Sequence, residues 1–195
     1  MTATSGLPDL SPLAADDTAI LLSAVEELSQ LRDLQGVMAV VRRHARTLTK
    51  ADGVTFVLRE GQQVFYADED AIAPLWKGRR FPIDACVSGW AMLHRQVVAI
   101  ADVYEDERVP ITAYHPTFVK SMLMVPIGRQ QPIGAIGAYW ASKHQIDSRE
   151  LTLLEAWPAS QPPPSRMLNC TRRRATPSAP ETSGWGSHLT SYGRL

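Results

Sequence analysis

The stretch SMLMVPIGRQQPIGAIGAYWA, residues 121–141, carries the strongest structural signal in the chain. Two apolar runs, SMLMVPIG (121–128) and PIGAIGAYWA (132–141), are separated only by the connector GRQQ. Short apolar runs that are bounded by Gly and Pro are typical of buried strands. Because the connector is short, we predict an antiparallel hairpin at the centre of a sheet.

Further strands are predicted upstream of this hairpin. In GVTFVLRE the apolar residues Val54, Phe56 and Leu58 recur at every second position, which is the period of a strand with one buried face. A Glu-Gly turn signal follows, so QQVFYA (62–67) is predicted to be the second arm of a hairpin. Two brief strands complete the set: RFPI (80–83) and VVAIAD (97–102).

Four helices are predicted from apolar periodicity and from capping residues. The first follows Asp16 or Asp17 and repeats apolar residues at heptad spacing, so it either packs on its own domain or dimerises. Asp33, Asp84 and Asp147 are the predicted caps of the other three. The order of elements predicts an α+β fold, an antiparallel sheet with helices packed on one face.

Composition divides the chain into three parts. Residues 1–17 are predicted to be a flexible N-terminal segment, residues 18–156 the folded domain, and residues 157–195 a disordered tail. The tail holds six of the chain's 14 prolines and has no periodicity. A one-base shift of its back-translated codons gives a proline-free helical pattern, so we interpret it as a frameshift product, with a natural disordered tail as the alternative. Pro158 and the run Pro162–Pro164 are predicted to end the last helix.

Charge and cysteine content disfavour several classes of protein. The formal net charge is zero, which gives no indication of a nucleic-acid partner or an anionic membrane. No apolar run approaches the about 18 residues of a membrane-spanning helix, and the N-terminus lacks the pattern of a secretory signal. The two cysteines, Cys86 and Cys170, lie far apart and form neither a disulfide framework nor a metal-binding spacing. A reducing cytoplasm is the expected location.

Three segments resemble the GAF domain, and more narrowly the GAF sensor modules of bacterial two-component histidine kinases: FPIDACVSGWAMLHRQVVAIADVYEDERVP (81–110), AYHPTFVKSMLMVPI (113–127) and PIGAIGAYWASKHQIDSRELTLLEA (132–156). The resemblance implies a central antiparallel sheet of about six strands. It places any small-molecule ligand between one sheet face and the crossing segments 68–95 and 102–118. It also implies a homodimer formed through the terminal helices.

The resemblance further implies a non-catalytic sensory and ligand-binding domain. We interpret it as the truncated input module of a two-component histidine kinase, because no phosphoacceptor histidine box or nucleotide-binding box follows residue 156. No catalytic residue, metal or cofactor is predicted. Two alternatives stay open: a small thiol-dependent or redox-sensing protein that uses Cys86, and a dimerisation scaffold without a ligand.

The role of the Cys86 thiol distinguishes these alternatives. Its predicted place in the first turn of a helix capped by Asp84 would favour the thiolate through the helix dipole. Bilin attachment is disfavoured, because the adjacent Cys-His pair of phytochrome-like GAF domains is missing. Reduction of free methionine sulfoxide, an activity of some GAF proteins, needs a resolving thiol. Redox or metal sensing with His94 or His115 has weak ligand spacing, so a small buried core residue is the main interpretation.

The predicted lining of a pocket comes from three parts of the chain, and its mixture of apolar walls and polar tips favours a small aromatic or heterocyclic ligand. Because neighbouring strand residues point to opposite faces, only one of the two adjacent aromatic residues in the last strand can face the pocket. The candidates are Cys86, Trp90 and His94 from the helix, Tyr114 and Phe118 from the crossing segment, and Met122, Met124, Tyr139 and Trp140 from the strands.

Overall fold

The computed structural model describes residues 13–128 and 130–160, the last four as backbone only. The described helices are α1 (Ala15–Gln30), α2 (Leu34–Thr49), α3 (Val87–His94), α4 (Ile111–Tyr114) and α5 (Ser148–Ser160). The described strands are β1 (Gly53–Glu60), β2 (Gln63–Ala71), β3 (Arg80–Pro82), β4 (Val98–Ile100), β5 (Ser121–Ile127) and β6 (Gly134–Trp140).

The six strands form one antiparallel sheet in the order β3-β2-β1-β6-β5-β4. This confirms the predicted α+β fold and the predicted sheet of about six strands. The hairpin predicted from residues 121–141 is β5 and β6. Of its two strands, β6 lies at the centre beside β1, and β5 lies one position nearer the edge. The long apolar runs are explained by this position, since β6 is buried along its whole length.

The sheet has two differently covered faces. The helix face carries residues such as Phe56 and Ile136, and it packs against α2 and α5, with α1 outside on α2. The opposite face, here called the cavity face, carries Met122 and Tyr139 and is covered by α3, α4 and the connecting segments. Each face buries its own apolar cluster, so the chain has two cores separated by the sheet.

Two of the predicted helix caps are confirmed. The Asp33 carboxylate accepts a hydrogen bond from the backbone N–H of Gly36 at 2.8 Å at the start of α2. At the start of α5, Asp147 Oδ1 accepts from the N–H of Glu150 (2.7 Å), and the Glu150 carboxylate accepts from the N–H of Asp147 (3.1 Å). This reciprocal pair satisfies two backbone donors that the first helical turn leaves free.

The two ends of the folded domain differ from the predicted ones. Helix α1 begins at Ala15, inside the segment predicted to be flexible, and Asp17 lies in its first turn, where its carboxylate accepts from the N–H of Ala14. Helix α5 continues past Pro158 to Ser160, so Pro158 by itself does not end the helix, and Pro162–Pro164 lie outside the described residues. A proline near a C-terminus removes only one backbone hydrogen bond, and the last turn tolerates that loss. The predictions for 161–195 lie outside the described residues.

None of the helices in the described part of the chain combines the length and the apolar character that crossing a membrane requires.

Candidate functional site

A cavity of about 180 Å³ lies on the cavity face of the sheet. Strand β2 provides one wall, the segment before α3 a second, and the α4 region a third. The residues around it are mostly aromatic or small and apolar, and none of the described lining residues carries a charge. The lining is Tyr66, Trp76, Phe81, Ala85, Cys86, Pro110, Ala113 and Tyr114.

Cys86 reaches the cavity from the start of α3. The prediction that Asp84 caps this helix is wrong, because Asp84 lies in a short 3-10 turn, Ile83–Ala85, and α3 begins only at Val87. Cys86 is therefore the N-cap itself, with an extended backbone and no side-chain capping hydrogen bond. The close approach of Gly89 to the backbone of Ile83 holds the turn against the helix.

The Cys86 thiol is buried and has hydrogen-bonding partners on its own segment. It is 8% exposed, and its Sγ lies 3.3 Å from Ser88 Oγ and 3.6 Å from the carbonyl oxygen of Pro82. Burial raises the pKa of the Cys86 thiol, and the hydrogen bond with Ser88 only partly offsets this effect. The predicted lowering by the helix start is therefore wrong, since desolvation outweighs the dipole at this position.

Aromatic contacts define the shape of the cavity. Three tyrosine rings pack around Trp76, and the ring of Phe81 packs on one of these tyrosines. The ring centroid of Trp76 lies 4.8 Å from Tyr114, 5.5 Å from Tyr66 and 5.7 Å from Tyr139. Phe81 meets Tyr66 edge-on at 5.5 Å. Tilted and edge-on contacts at these distances stabilise the cluster beyond simple area burial.

The polar tips of these aromatic residues are paired and uncharged. Tyr66 Oη lies 3.2 Å from Ser88 Oγ, and Tyr139 Oη lies 3.0 Å from Thr55 Oγ1. The hydroxyl of Tyr114 donates to the sulfur of a methionine at 3.8 Å. Burial raises the pKa of all three tyrosines, so each phenol stays neutral and offers a hydrogen bond rather than a charge.

The predicted pocket residues fall into four groups. Cys86 and Tyr114 line the cavity. Three more lie fully buried in the same cluster: Met122, Met124 and Tyr139. Trp90 and Phe118 are partly buried at the border of the cluster. The other two, His94 and Trp140, lie elsewhere.

These last two assignments need correction. His94 is exposed, and its ring stacks on Trp90 at 4.0 Å, outside the cavity. Trp140 points to the helix face and stacks on His144 at 4.6 Å. Alternation along β6 explains the second result, because Tyr139 faces the cavity side and its neighbour must face away.

Sequence reasoning missed six of the lining residues. Tyr66 could have been predicted from the alternating pattern of β2, because Val64 and Tyr66 share one face of this strand, which is buried. Trp76 could not have been, since it lies in a loop without periodicity, although it is only 4% exposed. The other missed residues are Phe81, Ala85, Pro110 and Ala113.

No group of three or more potential metal ligands occurs within residues 13–128 and 130–160. The cavity thus offers hydrophobic contact, ring stacking and a few neutral hydrogen-bonding groups. Ligand sites in proteins commonly have such a lining, with apolar walls and a small number of polar groups.

Many solved structures have a similar fold, and three of them illustrate the likeness. The GAF domain of the Acinetobacter phosphoenolpyruvate-protein phosphotransferase has a TM-score of 0.67 and 14% identity, covering 84% of this chain and 98% of that chain. The free methionine-R-sulfoxide reductase of Neisseria meningitidis, solved with its substrate, has a TM-score of 0.66 and 17% identity, covering 83% and 95%. A putative GAF sensor protein from Burkholderia vietnamiensis has a TM-score of 0.61 and 17% identity, covering 74% and 89%.

At these identities the structural likenesses show the fold alone. A search of curated protein sequences finds no match. The family model described as "GAF domain" matches residues 32–156, which are the greater part of the chain and contain the whole six-stranded sheet. The chain therefore belongs to the GAF domain family.

Proposed function

We propose that this chain is a sensory input module that binds a small, uncharged, ring-shaped molecule in the cavity and catalyses no reaction. The single observation that carries the proposal is the lining, in which aromatic rings and neutral hydroxyls surround the space and no charged side chain is present among the described lining residues. Burying an ionised ligand there would cost free energy, because none of the described lining residues carries an opposite charge.

The cavity volume limits the ligand to about one ring system. An apolar cavity of roughly 150 Å³ binds one benzene molecule, and this cavity measures about 180 Å³. Phenol and benzoate are therefore suitable probes, since they are similar in size and differ in charge at neutral pH. Phenol should raise the Tm in a concentration-dependent manner, whereas benzoate should not.

A matched pair of variants tests whether the binding takes place in this cavity. Ala113→Leu fills the space from α4, where Ala113 lines the cavity, and should abolish the phenol-dependent rise in Tm. Thr112→Leu adds a similar side chain at the exposed neighbouring position and should leave the rise unchanged. An equal rise with benzoate, or an unchanged response of Ala113→Leu, would contradict the proposal.

The signalling part of the proposal is that the module feeds a two-component histidine kinase as a homodimer of its terminal helices. Two hydrogen bonds join the terminal helices, which supports their moving together: Arg149 on α5 donates to Asp17 on α1 at 2.6 and 2.7 Å. Helix α1 also exposes apolar side chains, with Leu22 at 61% and Val25 at 43%. Ligand binding would then favour one packing of these helices over another.

Sedimentation measures the homodimer directly. Leu22→Glu should shift the protein from dimer to monomer, because it places a charge in the proposed apolar contact. Ser23→Glu, at the neighbouring exposed position, should leave the dimer intact. A wild-type monomer at all accessible concentrations, or an unaffected Leu22→Glu dimer, would contradict this part of the proposal.

A thiol enzyme is the competing function, since one similar fold belongs to a methionine sulfoxide reductase. The raised pKa of Cys86 argues against it, because the thiolate is the nucleophile in such chemistry. We expect no reduction of free methionine sulfoxide in the presence of dithiothreitol. Turnover that disappears in Cys86→Ser would replace the sensor proposal with the enzymatic one.

A further inference from the structure

The loop at residues 72–79 joins β2 to β3 and supplies one wall of the cavity. Most of its residues are exposed, including Pro74, Lys77 and Gly78, yet Trp76 is only 4% exposed. An otherwise solvated loop thus inserts a single large ring into the aromatic cluster. Removing that ring would take away one wall of the cavity, together with its contacts to Tyr66 and Tyr139 on the sheet.

One carboxylate holds this loop in place. Glu69 Oε1 accepts a hydrogen bond from the backbone N–H of Leu75 (3.1 Å), and Glu69 Oε2 accepts from the N–H groups of Trp76 (2.9 Å) and Lys77 (2.8 Å). Consecutive backbone N–H groups that converge on one anion form a nest. Hydrogen bonds to a charged acceptor are stronger than neutral ones, so Glu69 is the main fastener at the centre of the loop.

The two ends of the loop are anchored separately. The N–H of Ile72 donates to the carbonyl of Asp52 at 2.9 Å. At the other end Gly78, with φ of 84°, donates its N–H to the carbonyl of Tyr66 at 2.8 Å. A segment that is fixed at both ends and fastened in the middle by one side chain has the layout of a hinged flap.

A β-bulge in β2 directs the neighbouring acids to opposite sides of the sheet. Phe56 pairs with Asp68 and Val57 pairs with Tyr66, so the residue between them has no partner on β1. The extra residue shifts the alternation beyond it. Glu69 consequently lies on the cavity side, and Asp68 lies on the side of α2.

Asp68 links the loop to α2. Its Oδ1 accepts from Lys77 Nζ at 2.7 Å, and its Oδ2 forms an ion pair with Arg42 on α2. The side chain of Asp68 is 12% exposed and that of Arg42 is 24% exposed, so this pair is better shielded from solvent than the pair with Lys77, whose side chain is 55% exposed. Asp70, two residues further along, pairs with Arg46 on the same helix.

We propose that residues 72–79 are a lid on the cavity, that the Glu69 carboxylate is its latch, and that Asp68 transmits the position of the lid to α2. The inference deepens the proposed function, since it describes how the ligand site opens and reports. Its test uses no ligand, so the two can fail independently: absent phenol binding removes the function and leaves the lid, and the reverse holds as well.

Labelling of Cys86 by the disulfide reagent DTNB measures opening of the lid. The Cys86 thiolate attacks the reagent, a mixed disulfide forms, and one coloured thionitrobenzoate leaves. A Cys170→Ser background makes the signal specific. Glu69→Gln should accelerate labelling about tenfold or more, the equivalent of one lost charge-assisted hydrogen bond. Glu60→Gln, which breaks the exposed pair with Arg80 on the same hairpin, should label at the unmodified rate.

Urea separates lid opening from global unfolding. In the unmodified chain, the amide hydrogens of residues 75–77 should exchange with deuterium when the lid opens locally. Local opening exposes little surface, so low concentrations of urea should not change this exchange rate. This measurement needs no variant to fold. Exchange of these amides only through global unfolding, or equal labelling of Glu69→Gln and Glu60→Gln, would overturn the lid and its latch.

The link to α2 has its own matched pair. Releasing the latch with Glu69→Gln should increase deuterium exchange in α2 around Arg42. Adding Asp68→Asn should reduce this increase, because the ion pairs with Lys77 and Arg42 are lost and only the hydrogen bond from Arg42 to the Glu69 carbonyl remains. Adding Asp70→Asn should preserve it, because Asp70 contacts α2 but not the loop. Equal effects of the two asparagine variants would overturn the role of Asp68.

Discussion

Replacing Gly89 with alanine should destabilise the domain strongly, although alanine is the better helix former. Gly89 lies in the first turn of α3, where the helix passes the backbone of Ile83. A Cβ atom at this position would lie 1.7 Å from the carbonyl oxygen of Ile83 and 2.5 Å from its carbonyl carbon. The close partner of Gly89 is thus the 3-10 turn that precedes its own helix, and not the sheet.

The size of the effect follows from two opposing terms. Helix propensity favours alanine over glycine by about 1 kcal/mol. The clash cannot be relieved by a side-chain rotation, so α3 and the turn must separate by roughly 1.5 Å to reach normal contact distances. That shift disturbs Val87, Ala91 and Met92, which are buried on the inner side of α3. Overpacking of this kind costs about 1–3 kcal/mol, and a contact with a backbone atom lies at the upper end of that range, so after the gain in propensity we expect a net loss of about 2 kcal/mol.

Urea unfolding followed by far-UV circular dichroism measures this loss. Gly36→Ala is the control, because a Cβ there would meet only the flexible side-chain ends of Leu31, at 3.0 and 3.3 Å, and an oxygen of Asp33 at 3.5 Å. We expect this variant to match the parent or to gain up to about 1 kcal/mol. A Gly89→Ala protein as stable as the parent would refute the reasoning, since it would show that α3 and the turn are not held in contact.

Three further predictions concern titration and buried polar groups. The hydrogen bond from Arg149 lowers the pKa of Asp17, so its stabilisation is complete above the unfolded pKa of about 3.9 and is lost as the pH falls through the lower folded value. Asp17→Asn should flatten the acid limb of stability measured by urea unfolding. Burial raises the pKa of Cys86, so DTNB labelling of the single-cysteine protein should accelerate only above about pH 8.5, and fast labelling at pH 7 would contradict this. Thr55→Val should cost about 1–2 kcal/mol, because the buried Tyr139 hydroxyl loses its partner.

The sheet could be predicted from sequence because its signals are local. Strand β1 alternates buried apolar residues toward the helix face, and β5 and β6 are short apolar runs with turn residues at both ends. Asp33 and Asp147 were identifiable as caps because each precedes an apolar helical pattern without a gap. Such patterns involve only residues that are close in sequence, and the local structure that they predict is the one found in the fold.

The cavity could not be predicted in the same way because its walls depend on local irregularities. The 3-10 turn at Ile83–Ala85 moves the start of α3 by two residues and makes Cys86 a cap. The bulge in β2 reverses the alternation beyond Ala67, so a period of two assigns Asp68 and Glu69 to the wrong faces. One inserted residue is enough to exchange the two sides of a strand. Trp76 comes from a loop, where no period exists to place it.

The free energy of burying Trp76 explains how the same domain can behave as a packed scaffold without a ligand and as a sensor with one. Burying an aromatic side chain removes about 150–250 Å² from water, which at about 25 cal/mol per Å² stabilises the closed lid by roughly 4–6 kcal/mol. Without a ligand the lid is therefore closed and the domain behaves as a packed scaffold. A ring-shaped ligand in the cavity packs against the Trp76 ring, which is one of its walls, so the ligand stabilises the closed lid further. Trp76 therefore contacts the ligand only when the lid is closed, and any substitution that weakens the closed lid should lower the apparent ligand affinity in proportion to the closed fraction.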